Sequence, residues 1–588
     1  MKTGKDLGRS DRPGCGKVKP AADVVRRCEP SKTAQVRFPD GCVYEAPIGT
    51  PLEEYICAAM PDPPALIVAA RVNGKLKELT YPITTNADVI PLSIATSDGI
   101  RIYRRSLCFL LITAVSELFP DARIVVDHSI TMGGLFCHIL GRKPFDEEET
   151  RSIESRMRDL VAEDAPITKA RIPLSEAITG FQRRGWDDKV RLLRYREKDY
   201  LTVYTLKGQR DYFYGYMLPS TGYLTRFRLS LHPPGLVLQF PRRSQPTRLP
   251  EYRDFPKLAS MFHEYGKWLS IVQVRDVGPL NEAVESGRIR EVILVTEALH
   301  EQRIARIAAD IAKQRDRIRL VVIAGPSSSG KTTFSRRLAI QLLAHGVRPF
   351  PLGLDNYFVD RDKTPLDANG QYDFESLHAI DLELLNQQVL DLMDGREVTL
   401  PRYDFPSGKR ARGETISLTP QHILVAEGLH SMNPAMLPQV PTDRIYRIYA
   451  SCLTQLNIDY HNRVPTTDTR LIRRMVRDAR NRGYSAHETM ARWESVRRGE
   501  SRNIFPFQEL ADTMFNSALV YELAVLKPYA EPLLRQVEPG TMEYIEARRL
   551  LAFLEWLLPC PPDSVPGNSL LREFIGGSTL KNYSPWQE

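Results

Sequence analysis

Two glycines with four residues between them, followed by lysine and threonine, stand just past the middle of this chain in GPSSSGKTTF (325–334), directly after the apolar run RLVVIA. A strand that feeds a glycine loop, which in turn opens a helix, turns a row of backbone N–H groups and a helix N-terminus towards an anion. The cradle would be Gly325, Pro326, Ser327, Ser328, Ser329 and Gly330, continued by Lys331, Thr332 and Thr333. Lys331 would reach the β- and γ-phosphates of a nucleotide, and the Thr332 hydroxyl would ligate Mg²⁺. Gly325 and Gly330 give the backbone its tight path. No Asn-Lys-x-Asp guanine reader occurs in the chain, so ATP is favoured over GTP.

Four further features bear on where a terminal phosphate could go. The run PLGLDNYFVDRD (351–362) carries an apolar strand into Asp355, where a parallel sheet presents its functional side chains. A carboxylate there can take a proton from an attacking hydroxyl or hold a metal's water; equally, Asp-Asn opens turns. Tyr-Asp-Phe occurs twice, at 372–374 and 403–405. A ring beside an acid suits a nucleoside, though a single copy also reads as core aromatics next to a turn. HILVAEGLH (422–430) ends a strand in Glu427, placed for a second metal-side carboxylate or for solvent. Between Arg470 and Arg502 there are ten arginines against four acids. At helical spacing they leave one strongly positive face, suited to a lid over a triphosphate, to RNA, or to water alone.

In this order the motifs resemble the uridine kinase/phosphoribulokinase family of P-loop kinases over about 319–520. The resemblance implies that Asp355 is the catalytic base for a sugar 5′-hydroxyl, assisted by Lys331 and Arg477. It implies that Asp373 and Arg474 hold the ribose hydroxyls, and that Tyr372, Tyr403 and Phe405 line the base pocket. Arg477 and Arg482 become lid arginines on ATP phosphates, and Thr332, Glu427 and Asp355 the metal side. The implied reaction is ATP- and Mg²⁺-dependent transfer to a ribonucleoside, with uridine the expected acceptor. Another sugar or alcohol kinase and a nucleotide-gated RNA- or ribosome-binding factor are the alternatives. Two positions depart from the family pattern. Gly408 stands where the uridine–cytidine kinases carry a base-reading histidine, and Tyr484 replaces the second arginine of their Arg-Gly-Arg lid.

These residues need a scaffold. With 588 residues the chain is too long for one core, and three or four domains are expected. The net charge of +8 is modest for the length. The eight cysteines are scattered without a CxxC, which points to free thiols and a cytoplasmic setting. The N-terminus is not a secretory signal, and LCFLLITAV (107–115) is too short to span a bilayer, so a buried helix is predicted.

Residues 1–32 read as a disordered tail. Residues 33–97 read as a compact β-grasp-like module, with a helix capped by Thr50, Pro51 and Glu53. An α+β domain is predicted over 98–245, a helical linker over 246–315, and an α/β domain with a mostly parallel sheet over 316–537. A helix and tail over 538–588 close the chain. The front half resembles the N-terminal part of threonyl-tRNA synthetase: VRFPDG is similar to its TGS domain, and RSLCFLLITAVSELFP to the start of its editing domain. That family's helix carries His-x-x-x-His, whereas this chain has Arg105 and Phe109, and His128 and His138 do not restore the spacing. The implication is a kept scaffold without zinc or editing chemistry, and a possible RNA or ribosome contact.

Overall fold

The computed structural model describes residues 29–130, 134–366, 370, 372–374, 376–404, 407–581 and 583. Most of the tail expected over 1–32, and Phe405, lie outside them.

The first unit is a mixed five-stranded sheet. Its spatial order is Val43–Pro47, Thr33–Arg37, Ala87–Ser93, Ile67–Val72 and Lys75–Glu78, with one parallel pair among antiparallel neighbours. Helix Leu52–Ala59 lays Leu52, Tyr55 and Ile56 onto Val36, Ile67 and Val89. The cap predicted for that helix does not form. Pro51 is the N-cap residue, the Thr50 hydroxyl donates backwards to Pro47 O at 2.8 Å, and Glu53 accepts from Tyr223 of the next unit. A tertiary partner has taken the carboxylate that local sequence assigned to the helix end.

The second unit is α+β. Helix Ser97–Leu118, capped by Thr96, holds the apolar run and is buried along most of its length. It packs between a four-stranded antiparallel sheet (Arg228–His232, Gly235–Gln239, Gly134–Leu140, Arg123–Ile130) and a three-stranded one (Gln209–Tyr212, Tyr200–Leu206, Thr168–Pro173). Among the described residues no helix is long and apolar enough to cross a membrane.

The C-terminal sheet is parallel throughout, in the spatial order Arg348–Gly353, His422–Glu427, Leu320–Ala324, Ile445–Ser451, Thr513–Asn516. The α/β expectation therefore holds. Leu320–Ala324 is buried at every position, as a central parallel strand must be. Helix Ile289–Ala312 belongs to the same core rather than to a free spacer: Ile304, Ile307 and Ile311 bury with Phe334 and Leu338 of the helix after the glycine loop. The C-terminal helices join it through Leu550, Leu554, Leu570 and Phe574. All five strands end on one edge. That edge carries the glycine loop, Asp355 and Glu427.

Candidate active site at the carboxyl edge of the parallel sheet

The loop runs from Ala324 into helix Lys331–Ala344. A Cβ at Gly325 would lie 1.8 Å from Ala450 O, so no other residue fits there. Gly330 caps the helix in the left-handed region (φ +80°). The Ser328 and Ser329 hydroxyls are buried without a hydrogen-bond partner among the described residues. The Lys331 ammonium donates to Gly325 O at 2.8 Å and Pro326 O at 3.2 Å. Burial pulls this lysine below its ordinary pKa, against the opposing pull of Glu427, Glu573 and Glu500.

The arginine-rich helix, Thr466–Arg482, is built differently from a solvated lid. Arg470 and Arg473 face inward and are almost fully buried. Arg470 Nε donates to Ser327 O at 2.9 Å, while its guanidinium pairs with Glu500, whose Oε1 also accepts from Ser327 N at 2.8 Å. Arg473 Nη1 lies 3.4 Å from Ser328 O, and Arg474 Nη1 donates to Ser327 Oγ at 2.8 Å. Three arginines thus hold the loop from behind. Arg477 and Arg482 gather at the far end on the buried Asp478, at 3.0 and 3.5 Å from its Oδ1, and Arg474 Nε lies 3.2 Å from Oδ2.

Glu427 ends the strand between the loop's strand and that of Asp355, in register with Ile323 and Gly353. Its Oε1 accepts from Thr332 Oγ1 at 3.0 Å, and its Oε2 is buried without a hydrogen-bond partner among the described residues. Burial raises its pKa, as does the nearby charge of Asp355, while Lys331 and Thr332 lower it. A buried, half-used carboxylate beside a threonine hydroxyl, with a second carboxylate facing it, is a donor set that fits a hard divalent cation. Asp355 sits in a short 3-10 turn, Leu354–Tyr357, at the end of its strand. It is open to solvent yet surrounded by protein on most sides, as on the floor of a cleft. Burial raises its pKa, and Lys331 and Arg482 oppose the shift.

Beside Asp355 stands a run of rings. Tyr403 lies 5.6 Å from Phe358, Phe358 lies 6.4 Å from Phe374, and Phe374 lies 6.1 Å from Tyr372. Tyr403 is buried, whereas Tyr372 and Phe374 are about half exposed. Asn356 Oδ1 accepts from Tyr403 N at 3.3 Å, tying the ribbon Val398–Asp404/Lys409–Ile416 to the Asp355 turn. Asp373 lies between Tyr372 and Phe374 in the chain, its N–H donating to Pro365 O at 2.7 Å. Gly408 has φ +69°, and a Cβ there would meet the Arg361 guanidinium at 2.7–2.8 Å. An arginine from another segment therefore fills the space that a side chain at 408 would take.

The structure brings Lys331, Thr332, Asp355 and Glu427 to one cleft, and Arg474 to the loop. Sequence reasoning missed Phe358, Arg361, Asp478, Glu500 and Glu573. The last is the most consequential. Glu573 Oε2 accepts from Thr333 Oγ1 at 2.8 Å and from Thr333 N at 3.4 Å. Leu570 lies against Gly330, and Arg480 bonds to Ile575 O. The C-terminal segment thus places a carboxylate on the first turn of the loop helix, where the orphan N–H groups attract anions.

The two halves of the chain are similar to different known proteins. Residues 320–523 match the model of the Phosphoribulokinase / Uridine kinase family. The N-terminal region is similar to threonine–tRNA ligases. With that of Methylobacillus flagellatus it shares 32% identity over 163 residues, 28% of this chain and 26% of the relative; with that of Symbiobacterium thermophilum, 30% over 200 residues, 34% and 31%. The chain spans less than a third of the length of these curated relatives. Among solved structures, a protein described as a possible uridine kinase from Bacillus stearothermophilus is similar at 18% identity (34% of this chain, 89% of that one, TM-score 0.23). D-glycerate 3-kinase from Cryptococcus neoformans is similar at 17% (35% and 88%, TM-score 0.25).

Proposed function

We propose that the protein is an ATP-dependent kinase that transfers the γ-phosphate to the 5′-hydroxyl of a ribonucleoside. The carrying observation is the convergence of Lys331, Thr332, Glu427 and Asp355 at one edge of the sheet, with the Phe358, Tyr403, Phe374 and Tyr372 rings gathered on the segments next to the Asp355 turn. The acceptor hydroxyl gives its proton to Asp355 as its oxygen bonds to the γ-phosphorus. The bond from that phosphorus to the β-phosphate oxygen breaks, and ADP leaves. Lys331 and the loop N–H groups take up the charge on the phosphates, aided by Arg477 and Arg482. Thr332, Glu427 and Asp355 would hold Mg²⁺, which when bound neutralises phosphate charge. The contact of Arg474 with Ser327 supports a role at the phosphate end of the cleft rather than on the ribose, which leaves Asp373 as the ribose acceptor.

Arg361 over Gly408 bears on the choice of acceptor. It supports a base-reading contact from arginine, which donates only, where a histidine would both donate and accept. Uridine, with two carbonyl acceptors, remains the first candidate, and another sugar or alcohol the second. Purified protein with Mg-ATP and a panel of ribonucleosides, sugars and structured RNA separates the readings. Nucleoside-dependent ADP release supports the kinase proposed here, sugar-dependent release the second, and RNA retention without turnover an RNA-binding factor.

Asp373→Ala should raise the acceptor KM at least tenfold and leave the ATP KM within about twofold, because a ribose-binding carboxylate contributes on the order of 1.5–3 kcal/mol through its hydrogen bonds. Equal losses on both substrates would remove Asp373 from the ribose. Glu573 would compete with a phosphate for Thr333 N–H. Glu573→Gln, which keeps the shape and removes the charge, should tighten Mg-ATP binding about tenfold in a calorimetric titration. Unchanged or weaker binding would make Glu573 a clamp rather than a competitor.

A further inference from the structure

A cavity with a largely apolar lining and a few polar groups lies away from the cleft. It has a volume of about 450 Å³ and lies between the four-stranded sheet of the second unit and helix Pro256–Ile271, with Gln455 of the C-terminal unit in its wall. The size is that of a small-molecule site. It is distinct from the place of the missing His-x-x-x-His, where Arg105 is bonded to Tyr216 O at 2.6 Å and Phe109 packs on Phe213 with ring centroids 5.1 Å apart.

Asp127 is the polar centre of the cavity. Its Oδ2 is 3.3 Å from His128 Nδ1 and 3.7 Å from His138 Nδ1, and its Oδ1 accepts from Gln455 Nε2 at 3.4 Å. Burial works against its ionisation, but the two imidazoles prevail and hold the carboxyl well below the usual carboxylate range. A structural ion cluster would end there. Two observations go further. Gln455 is only 5% exposed, and its Oε1 is buried with no hydrogen-bond partner among the described residues. Such an acceptor costs about 1–3 kcal/mol unless something donates to it. The rest of the wall is divided in kind: Phe136 and Phe262 hold the His128 ring stacked between them, at 5.1 and 3.6 Å, Phe255 is apolar, and Arg253, His263 and Lys267 outnumber the acidic Asp254 at the mouth. A planar ring with an N–H edge, carrying an anionic group, meets these demands.

We propose that this cavity is a nucleotide site separate from the phosphate loop, in which the base donates N–H to Gln455 Oε1 and packs against Phe255 and the edge of the Phe136–His128–Phe262 stack while the phosphate meets Arg253, His263 and Lys267. The site is wired to the loop. Gln455 and Asn457 lie on the segment joining strand Ile445–Ser451 to the arginine helix, and Asn457 Nδ2 donates to Val126 O at 3.1 Å and Asp127 O at 3.0 Å. Val126 N in turn donates to Tyr460 O at 2.8 Å. An occupant therefore bears on the helix whose Arg470, Arg473 and Arg474 hold the loop. That regulatory half rests on the kinase reading; the binding half does not.

The test is equilibrium dialysis of the full chain against radiolabelled UMP, UTP, AMP and ATP, with inorganic phosphate as a separate arm. Two nucleotide sites are expected in the wild type. The cavity site should remain in Lys331→Ala and should weaken about tenfold in Lys267→Glu, an exposed position whose change spares the fold. Gln455→Leu should weaken the same site and spare inorganic phosphate. A single site that vanishes with Lys331→Ala would overturn the proposal. So would binding of inorganic phosphate as tight as that of any nucleotide, which would mark a bare anion site. Loss of transfer to every acceptor would instead strike the kinase reading and leave these binding counts standing.

Discussion

Asp355→Asn is expected to lower kcat by about 10³-fold while Mg-ATP binding stays within about threefold. The magnitude is that of a positioned general base, for which 10²–10⁴-fold is usual. Asparagine keeps the size and the hydrogen-bonding reach but cannot take the acceptor's proton. The same residue predicts the shape of the pH profile. Asp355 serves as base only when ionised, and its folded pKa lies above the ordinary aspartate value because burial outweighs the help of Lys331 and Arg482. As pH falls through that raised value the carboxylate protonates, so kcat should begin to drop at a higher pH than an exposed aspartate would give. In Asp355→Asn this acid limb should disappear from the residual rate. Calorimetric ATP titration with Mg²⁺ decides between the two roles open to the carboxylate. Binding lost along with turnover would make Asp355 chiefly a metal-side residue and leave the cleft without its base.

The parts of this site that could be read from sequence are those made by neighbours in the chain. Strand, loop and helix at 319–334 are contiguous, so spacing alone brings Gly325, Lys331 and Thr332 together. Asp355 and Glu427 could be placed because each ends an apolar strand, and parallel strands end on one edge. Periodicity also showed that Arg470, Arg473, Arg474, Arg477 and Arg480 cannot share one face, but not which of them turn inward. That depends on Glu500, Ser517 and Glu522, which lie 30 to 49 positions away from their arginines. Glu573 was wholly illegible: its partner Thr333 is 240 residues distant, and nothing local marks a glutamate near the end of a chain as an anion on a helix N-terminus. Gly408 shows the same limit. Its sequence said that a side chain was missing, and only the fold says that Arg361 fills the space. The helix at 52–59 failed at its cap because Tyr223 took Glu53.

Arg473→Met should be the most damaging single change outside the cleft. Arg473 has no exposure. Its guanidinium pairs with the buried Glu522, donates to Ser517 O at 2.8 Å and faces the Phe574 ring at 5.0 Å. Methionine fills much of the volume and removes the charge, so Glu522 is left buried with only Leu519 N, at 3.1 Å, and the Cys452 thiol, at 3.7 Å, as hydrogen-bond donors among the described residues. Breaking a buried pair on one side costs about 3–5 kcal/mol, mostly through the charge left behind. The midpoint of thermal unfolding should fall accordingly. Arg473→Met combined with Glu522→Gln should recover a large part of that loss, since the stranded charge is gone. Nucleotide binding should not recover with it. Arg473 Nη1 also reaches Ser328 O, and neither substitution restores that hold on the loop. Stability and ATP affinity therefore separate in the double variant: the first returns towards wild type and the second stays weak. If both return together, the arginine stabilises the fold without shaping the phosphate site, and the loop keeps its geometry through Arg470 and Arg474 alone.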